Sequence, residues 1–402
     1  MKKLLFVCCA VASVSAPAVA RVATTRGLWR DFAAPAQSPG RGGGPSGQVR
    51  PRPAEGREPE FKPPTIREYR PKSMLVTPQH PVPRAKFPVI DIHSHQSTPI
   101  SAGEFDRVMK GMEANNLQIL VNLSGSSGSR LQQGVEALHT SRYKDRMVLF
   151  ANINFRDTVG PGFGAKAAAQ LEADVKAGAV GLKIFKDLGM FVRKADGSRL
   201  RVDDPELDAV WDSCARLNIP VLIHVAEPPA FFEPLDYNNE RWLELALYPD
   251  RRHQTGVRFE ELMTERNNMI RKHPNTRYIL AHFGWHGSDL ARAGKLLDAN
   301  PNVYYDIAAV LYDFGRQPKA AHEFFVKYQD RILFGKDSYQ PDEYPYYWRV
   351  FETNDEYFDY YRDYHAFWKL YGIGLPDQVL KKLYYQNALR VTPGLPRTAF
   401  PG

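Results

Sequence analysis

Eight short apolar runs rich in β-branched residues recur between residues 87 and 335, separated by longer amphipathic stretches, and this alternation constrains the fold more than any single residue. The candidate strands lie at Val89 to His93, Gln118 to Asn122, Val148 to Asn152, Val180 to Ile184, Pro220 to His224, Tyr278 to Ala281, Val303 to Asp306 and Ile332 to Gly335. Helical spacing fills the gaps, as in Glu104 to Asn115, Lys166 to Ala177, Glu206 to Leu217, Phe259 to Lys272 and Ala320 to Tyr328. Asp204 stands ahead of the third of these as an N-cap, with Pro205 at the first helical position. Eight such units predict a (β/α)8 TIM-type barrel of the α/β class, with no domain boundary inside it.

A barrel of this kind carries its chemistry where strands end, at one face. The expected strand ends hold His93 and His95, Lys183, His224, His282 and Asp337. His93 and His95 are two residues apart on a strand, so both imidazoles face one side and can converge on one metal ion. Each histidine alone reads as readily as a core residue; their joint occurrence at successive strand ends favours a metal centre. His80, His139, His253, His273, His322 and His365 fall in loops or on helices and read as structural. Lys183 fits less easily, because an ammonium beside a divalent cation is repelled unless it is neutral, modified or turned aside. Lys186 belongs on the opposite face of an ideal strand from Lys183.

The order His-x-His, Lys, His, His, Asp on successive strands resembles the amidohydrolase superfamily, over residues 87 to about 395. The segments Val89 to Gln96, Gly181 to Lys186, Ile223 to Pro228, Ala281 to Trp285 and Leu333 to Ser338 resemble the amidohydrolase-related branch, which includes aminocarboxymuconate-semialdehyde and resorcylate decarboxylases. The resemblance implies a divalent ion, zinc by expectation, held by His93, His95, His224 and Asp337. It places His282 and Asp337 in catalytic positions. One ion is favoured; a second would follow if Lys183 were carboxylated and bridged the pair, and otherwise Lys183 or Lys186 would contact a substrate anion or form an ion pair. Such an ion lowers the pKa of bound water from about 15.7 toward neutrality. The leading expectation is therefore a metal-dependent hydrolase of a small amide, lactone or ester. The alternative is a non-oxidative decarboxylase of an aromatic or unsaturated acid, and a binding-only barrel ranks third. Lys186, Glu227, Trp285 and His286 follow the ligands closely and are expected to contact substrate, with Tyr339 also near the mouth.

The rest of the chain bears on location. Residues 1–20 show Lys2 and Lys3, an apolar run from Leu4 to Val14 and Ala18-Val19-Ala20, the layout of a secretory signal cleaved after Ala20. Residues 21–80 are rich in Pro, Gly and Arg and predict a flexible tether or arm, its last part lying along the barrel formed by residues 81–402. Of the 53 Lys/Arg and 45 Asp/Glu, 15 and 5 precede residue 87, so the first 86 residues carry +10 and the remaining 316 carry −2. The basic balance thus belongs to leader and tether, and a nucleic-acid partner is not expected. After cleavage Cys214 is the sole cysteine, read as a buried apolar group rather than a nucleophile. A periplasmic or secreted protein without a membrane span is expected, with a small-molecule substrate and a homo-oligomer left open. The aromatic stretch Tyr344 to Trp368 predicts a long last helix packed on the barrel or a subunit contact, with Asp355, Glu356 and Asp359 in solvent.

Overall fold

The computed structural model describes residues 61–62, 64–156 and 159–401. The expected leader and residues 21–60 of the tether lie outside the described residues. A short unit ends at Ser73, where the Thr65 amide and hydroxyl both donate to the Glu68 carboxylate at 2.8 Å. The larger unit begins at Met74 and carries the barrel. No helix among the described residues is long and apolar enough to cross a membrane.

Strands β1 (Val89–Ser94), β2 (Leu117–Asn122) and β3 (Met147–Leu149) pair in parallel. The row β4 (Ala151–Asn152), β5 (Leu182–Ile184), β6 (Val221–Ile223), β7 (Tyr278–Leu280), β8 (Val303–Asp306) and β9 (Ile332–Leu333) pairs in parallel as well. Parallel neighbours need crossover connections, which helices such as Ala102–Asn115, Phe163–Lys176, Phe259–Lys272 and Pro318–Lys327 supply. Two seams join the rows. β3 and β4 are one strand interrupted at Phe150, whose amide donates to the Asn122 carbonyl at 3.1 Å while Ala151 donates to Gly181 at 2.8 Å. At the other seam Ile92 donates to Phe334 at 3.0 Å and Asp337 to His93 at 2.7 Å. The result is the eight-stranded closed barrel that the alternation predicts, most of its strand residues buried on both faces as parallel sheets require.

Asp91, fully buried on β1, braces the second seam. Its Oδ1 accepts the amides of His93 at 3.0 Å and Lys336 at 3.1 Å, and its Oδ2 accepts the Tyr344 hydroxyl at 2.6 Å. Burial pushes this carboxyl up to about 7 against the pull of those donors and of Lys336.

Two local expectations hold in detail. Asp204 caps its helix by accepting the Glu206 amide at 3.0 Å, and Cys214 is buried on the helix Asp208–Arg216. Two others need correction. The last aromatic stretch is no long helix: the helix Tyr344–Glu352 stops after nine residues and Phe358 then pairs with Leu370 through backbone hydrogen bonds of 3.0 and 2.8 Å. Its rings are nevertheless core, with Tyr344, Tyr347, Trp348 and Phe351 fully buried, so burial rather than helical periodicity explains the composition. Asp355 is buried rather than solvated, because Arg349 donates to it at 2.8 Å and His80 contacts it at 2.6 Å through Nδ1.

Close helix packing at Gly164 gives a test of this architecture. Its amide donates to the Glu206 carboxylate at 2.8 Å, and a Cβ there would overlap the Glu206 carbonyl oxygen and lie 2.9 Å from its carbon. The obstacle is backbone and cannot rotate away. Gly164→Ala should therefore cost about 2–3 kcal/mol of stability, read as a lower midpoint in chemical denaturation; an unchanged midpoint would contradict this packing.

Candidate metal centre

His93, His95 and Asp337 meet where the second seam closes, although Asp337 is more than 240 residues from the histidines in sequence. Their ligand atoms lie within 4.8 Å of one another. His93 Nε2 stands 3.7 Å and His95 Nε2 3.5 Å from Asp337 Oδ1. These separations are too long for hydrogen bonds but close to the edge of about 3.3 Å that a tetrahedron of ligands 2.0–2.1 Å from zinc would have. The other ring nitrogens are engaged: His93 Nδ1 contacts Asp306 Oδ2 at 2.8 Å and His95 Nδ1 contacts Ser124 Oγ at 2.9 Å. Both Nε2 atoms are thereby left to face Asp337, the arrangement by which outer partners orient metal-binding imidazoles.

His224 follows β6 and His282 follows β7, with Nδ1 of the first 3.3 Å from Nε2 of the second. His282 Nδ1 contacts the Ala308 carbonyl at 2.8 Å and so carries its ring's proton. Burial, and next His224, hold His282 down at about 4, so the ring is neutral and its Nε2 is bare. His224 Nε2 is buried without a hydrogen-bond partner, 3.7 Å from a Glu227 carboxylate oxygen. With the His224 proton on that side, both facing nitrogens would offer lone pairs to one cation. His224 lies outside the tight His93, His95, Asp337 group and adjoins it through His282, whose ring centroid is 4.9 Å from that of His93.

The electrostatics suit a cation. Burial, followed by Lys183, lowers His93 well below the usual range and His95 to about 4, so both are neutral donors. Burial alone would raise Asp337, but His93, His282, His95 and Lys183 hold it well below the usual carboxylate range. Neutral imidazoles with an ionised carboxylate are the donor set a divalent ion takes.

The side chain of His282 is aimed by an unusual backbone. His282, Phe283, Gly284 and Trp285 all have φ between 55° and 58°. Left-handed conformation costs a non-glycine residue roughly 1–2 kcal/mol, and such strain persists where the surroundings over-determine it. Here the His282 amide donates to Asp306 Oδ1 at 2.9 Å, the buried Arg266 donates to the Gly284 carbonyl at 2.9 Å, and the Phe283 ring stacks on Tyr305 at 4.5 Å.

Asp306, at the end of β8, escaped the sequence reading. Its two oxygens serve His93 on one side and the amides of His282 and Ala308 on the other, the latter at 3.0 Å. The available signal was a carboxylate ending an expected strand on the site face.

Lys183 enters the barrel and is 1% exposed, with its Nζ unpartnered. Burial lowers it to about 8, against Asp306 and Asp337. It lines a groove of about 380 Å³ with Phe155, Arg156, Phe185, Asp187 and Phe191. Phe185 connects this groove to the histidines, its ring 5.9 Å from that of His95. Lys186 lies beyond the strand and pairs with Glu227, whose carboxyl is held at about 2 by His224 and Lys186 despite burial. Trp285 stacks on His282 at 4.7 Å and, with His286, lines a different cleft. Tyr339 turns away from the centre, donating to the Val108 carbonyl at 2.5 Å.

The amidohydrolase family model matches residues 90–393. No curated protein matches the chain. Among solved structures, a dihydroxybenzoic acid decarboxylase from Polaromonas sp. JS666, with bound manganese and the inhibitor 2-nitroresorcinol, is 13% identical with a TM-score of 0.50, covering 78% of this chain and 99% of its own. A 2,6-dihydroxybenzoate decarboxylase from Rhizobium is 15% identical, covers 76% and 99%, and has a TM-score of 0.46. A 4-oxalomesaconate hydratase from Rhodopseudomonas palustris is 15% identical, covers 76% and 96%, and has a TM-score of 0.47. At such identities the likeness is one of fold. The match over residues 90–393, together with the histidines and aspartate gathered at the strand ends, makes this chain a member of the amidohydrolase family.

Proposed function

We propose that the chain is a metal-dependent enzyme that removes the carboxyl group of a small aromatic or unsaturated acid without oxidation. The observation that carries this reading is Lys183, an unpartnered buried amine in a groove lined by phenylalanines and joined to the histidine cluster. A buried amine in a groove with phenylalanine walls, where Lys183 and Arg156 outnumber Asp187, suits a flat molecule bearing a carboxylate. The Polaromonas dihydroxybenzoic acid decarboxylase, whose fold this chain resembles, supports this reading. Decarboxylation therefore replaces hydrolysis as the leading reading.

His93, His95, His224 and Asp337 would hold the divalent ion, zinc being proposed from the imidazole-rich donor set. When bound, that ion supplies a fixed positive charge that polarises substrate oxygens. The chain's own residues do the rest. Lys183 and the phenylalanines orient the acid, with Arg156 a second cation in the groove. Asp337 or His282, first taking up a proton from solvent because the one is ionised and the other has a bare Nε2, passes it to the carbon bearing the carboxyl group. The bond to that group then breaks, its electron pair stays with the protonated carbon skeleton, and carbon dioxide leaves.

Hydrolysis remains a second reading because of the same lysine. With its pKa lowered to about 8 by burial, Lys183 has a neutral fraction able to combine with carbon dioxide, and the resulting carbamate would supply an anionic ligand for a second ion. Export is proposed from the leader alone, and mature protein recovered outside the cytoplasm should begin at Arg21; an intact Met1 on cytoplasmic protein would refute it.

His93→Ala and Asp337→Ala should each lose at least about tenfold in metal affinity while keeping the far-ultraviolet circular dichroism of the parent, since both sit at the barrel mouth. Full metal occupancy of both variants by elemental analysis would sink the ligand assignment. A panel of hydroxylated benzoates and unsaturated acids should release carbon dioxide in a chelator-sensitive manner, and Lys183→Met should raise KM about tenfold or more while retaining one ion. Two ions in the parent, one lost in Lys183→Met, and turnover of lactones or amides without carbon dioxide would establish hydrolysis instead.

A further inference from the structure

On the outer side of Trp285 lies a second cleft of about 390 Å³. Pro229, Phe232, Val257 and Phe259 give it apolar walls, and His253 adds a ring 5.4 Å from that of Phe232. Two consecutive residues line it, Trp285 at the end of the left-handed turn and His286 just after it, and each carries a polar atom that finds no partner. Trp285 Nε1 and His286 Nε2 are buried and unbonded, in side chains 8% and 2% exposed. Burial, with Arg266 and Arg292 next, drives His286 down to about 2, so its ring is neutral. The Tyr305 hydroxyl donates to the Ala293 carbonyl at 3.3 Å and so faces His286 Nδ1, 3.4 Å away, with its lone pairs. The His286 proton belongs on Nδ1, and Nε2 is an acceptor. An indole N–H and an imidazole lone pair together ask for a group that both accepts and donates, which is what a hydroxyl does.

Charge decides between an acid and a neutral molecule. Arg292 grips Glu260 through two contacts of 2.7 Å, and Asp289 is spent on the Arg292 amide at 2.9 Å. With that pair matched, Arg258 faces the two exposed carboxylates Glu233 and Asp289, so the lining carries more negative than positive charge. Unlike the Lys183 groove, this cleft has no surplus positive charge for a carboxylate.

We propose that this cleft is a second binding site, for a neutral hydroxyl-bearing aromatic molecule, separated from the metal centre by the Trp285 ring. Decarboxylation of a hydroxylated aromatic acid produces such a molecule, so the link to product rests on the function proposed above. The site itself stands on the cleft and its two unpartnered atoms. The same indole stacks on His282 at 4.7 Å, so an occupant would press on the wall of the catalytic site.

Calorimetry of the metal-replete full chain with phenol, and separately with benzoate, tests the site without turnover. Phenol should bind, and Trp285→Phe, which keeps an aromatic ring but removes the N–H, should weaken it about fivefold. Ser288→Trp, a change at an exposed position of the cleft lining, should block phenol without disturbing the core. Lys183→Met should leave phenol binding unchanged while weakening benzoate. Absence of phenol binding, equal binding in Trp285→Phe and Ser288→Trp, or its loss in Lys183→Met would overturn the proposal. Failure of carbon dioxide release with phenol binding intact would instead remove only the link to product.

Discussion

The barrel closes on Asp91, and the site exists because it does. One buried carboxylate holds the amides of His93, on the first strand, and Lys336, just after the last, and is itself fixed by Tyr344. The neighbouring bond from the Asp337 amide to the His93 carbonyl sets the register. With that seam formed, two imidazoles from the first strand and a carboxylate following the last face each other across less than 4 Å. A polar residue inside a strand is costly unless every lone pair is used, and Asp91 uses its oxygens to join what the chain separates.

Asp306 performs the corresponding task one strand earlier. By engaging His93 through one oxygen and the His282 amide through the other, it couples the orientation of a candidate ligand to that of a candidate catalytic ring. The left-handed run at 282–285 is the conformational cost of aiming His282 inward. Arg266 offsets part of it by donating to the Gly284 carbonyl, although its own burial lowers its pKa to about 10. Strain, buried charge and unpartnered polar atoms thus concentrate around a few residues, where preorganised chemistry is expected to keep them.

Around this centre the structure divides polar character between two hollows. On the His95 side, Lys183 and Arg156 outnumber Asp187 among phenylalanine rings. On the Trp285 side, arginines are matched by carboxylates and the unpartnered atoms are neutral. The Trp285 ring is the partition. Under the proposed decarboxylation, an acid and its decarboxylated counterpart would differ in the charge that these two linings distinguish.

Much of this was legible in the sequence because the controlling signals are local. The eight strands appear within a residue or two of their expected bounds, since β-branched runs and helical periodicity act over single elements, and the strand-end rule then named His93, His95, His224, His282 and Asp337. What local pattern cannot carry is which distant groups meet. The sequence did not reveal that Asp306 would serve two histidines, that Asp355 would be drawn inside by Arg349 and His80, or that the aromatic stretch would fill the core after only nine helical residues. Nor did it separate the surroundings of Lys183 from those of Trp285 and His286. These outcomes depend on closure of the barrel, which fixes partners and burial together. Residue order determined the elements and the inventory of chemistry; tertiary structure alone decided the pairings, because hydrogen bonds and charges act over a few ångströms of space irrespective of their separation along the chain.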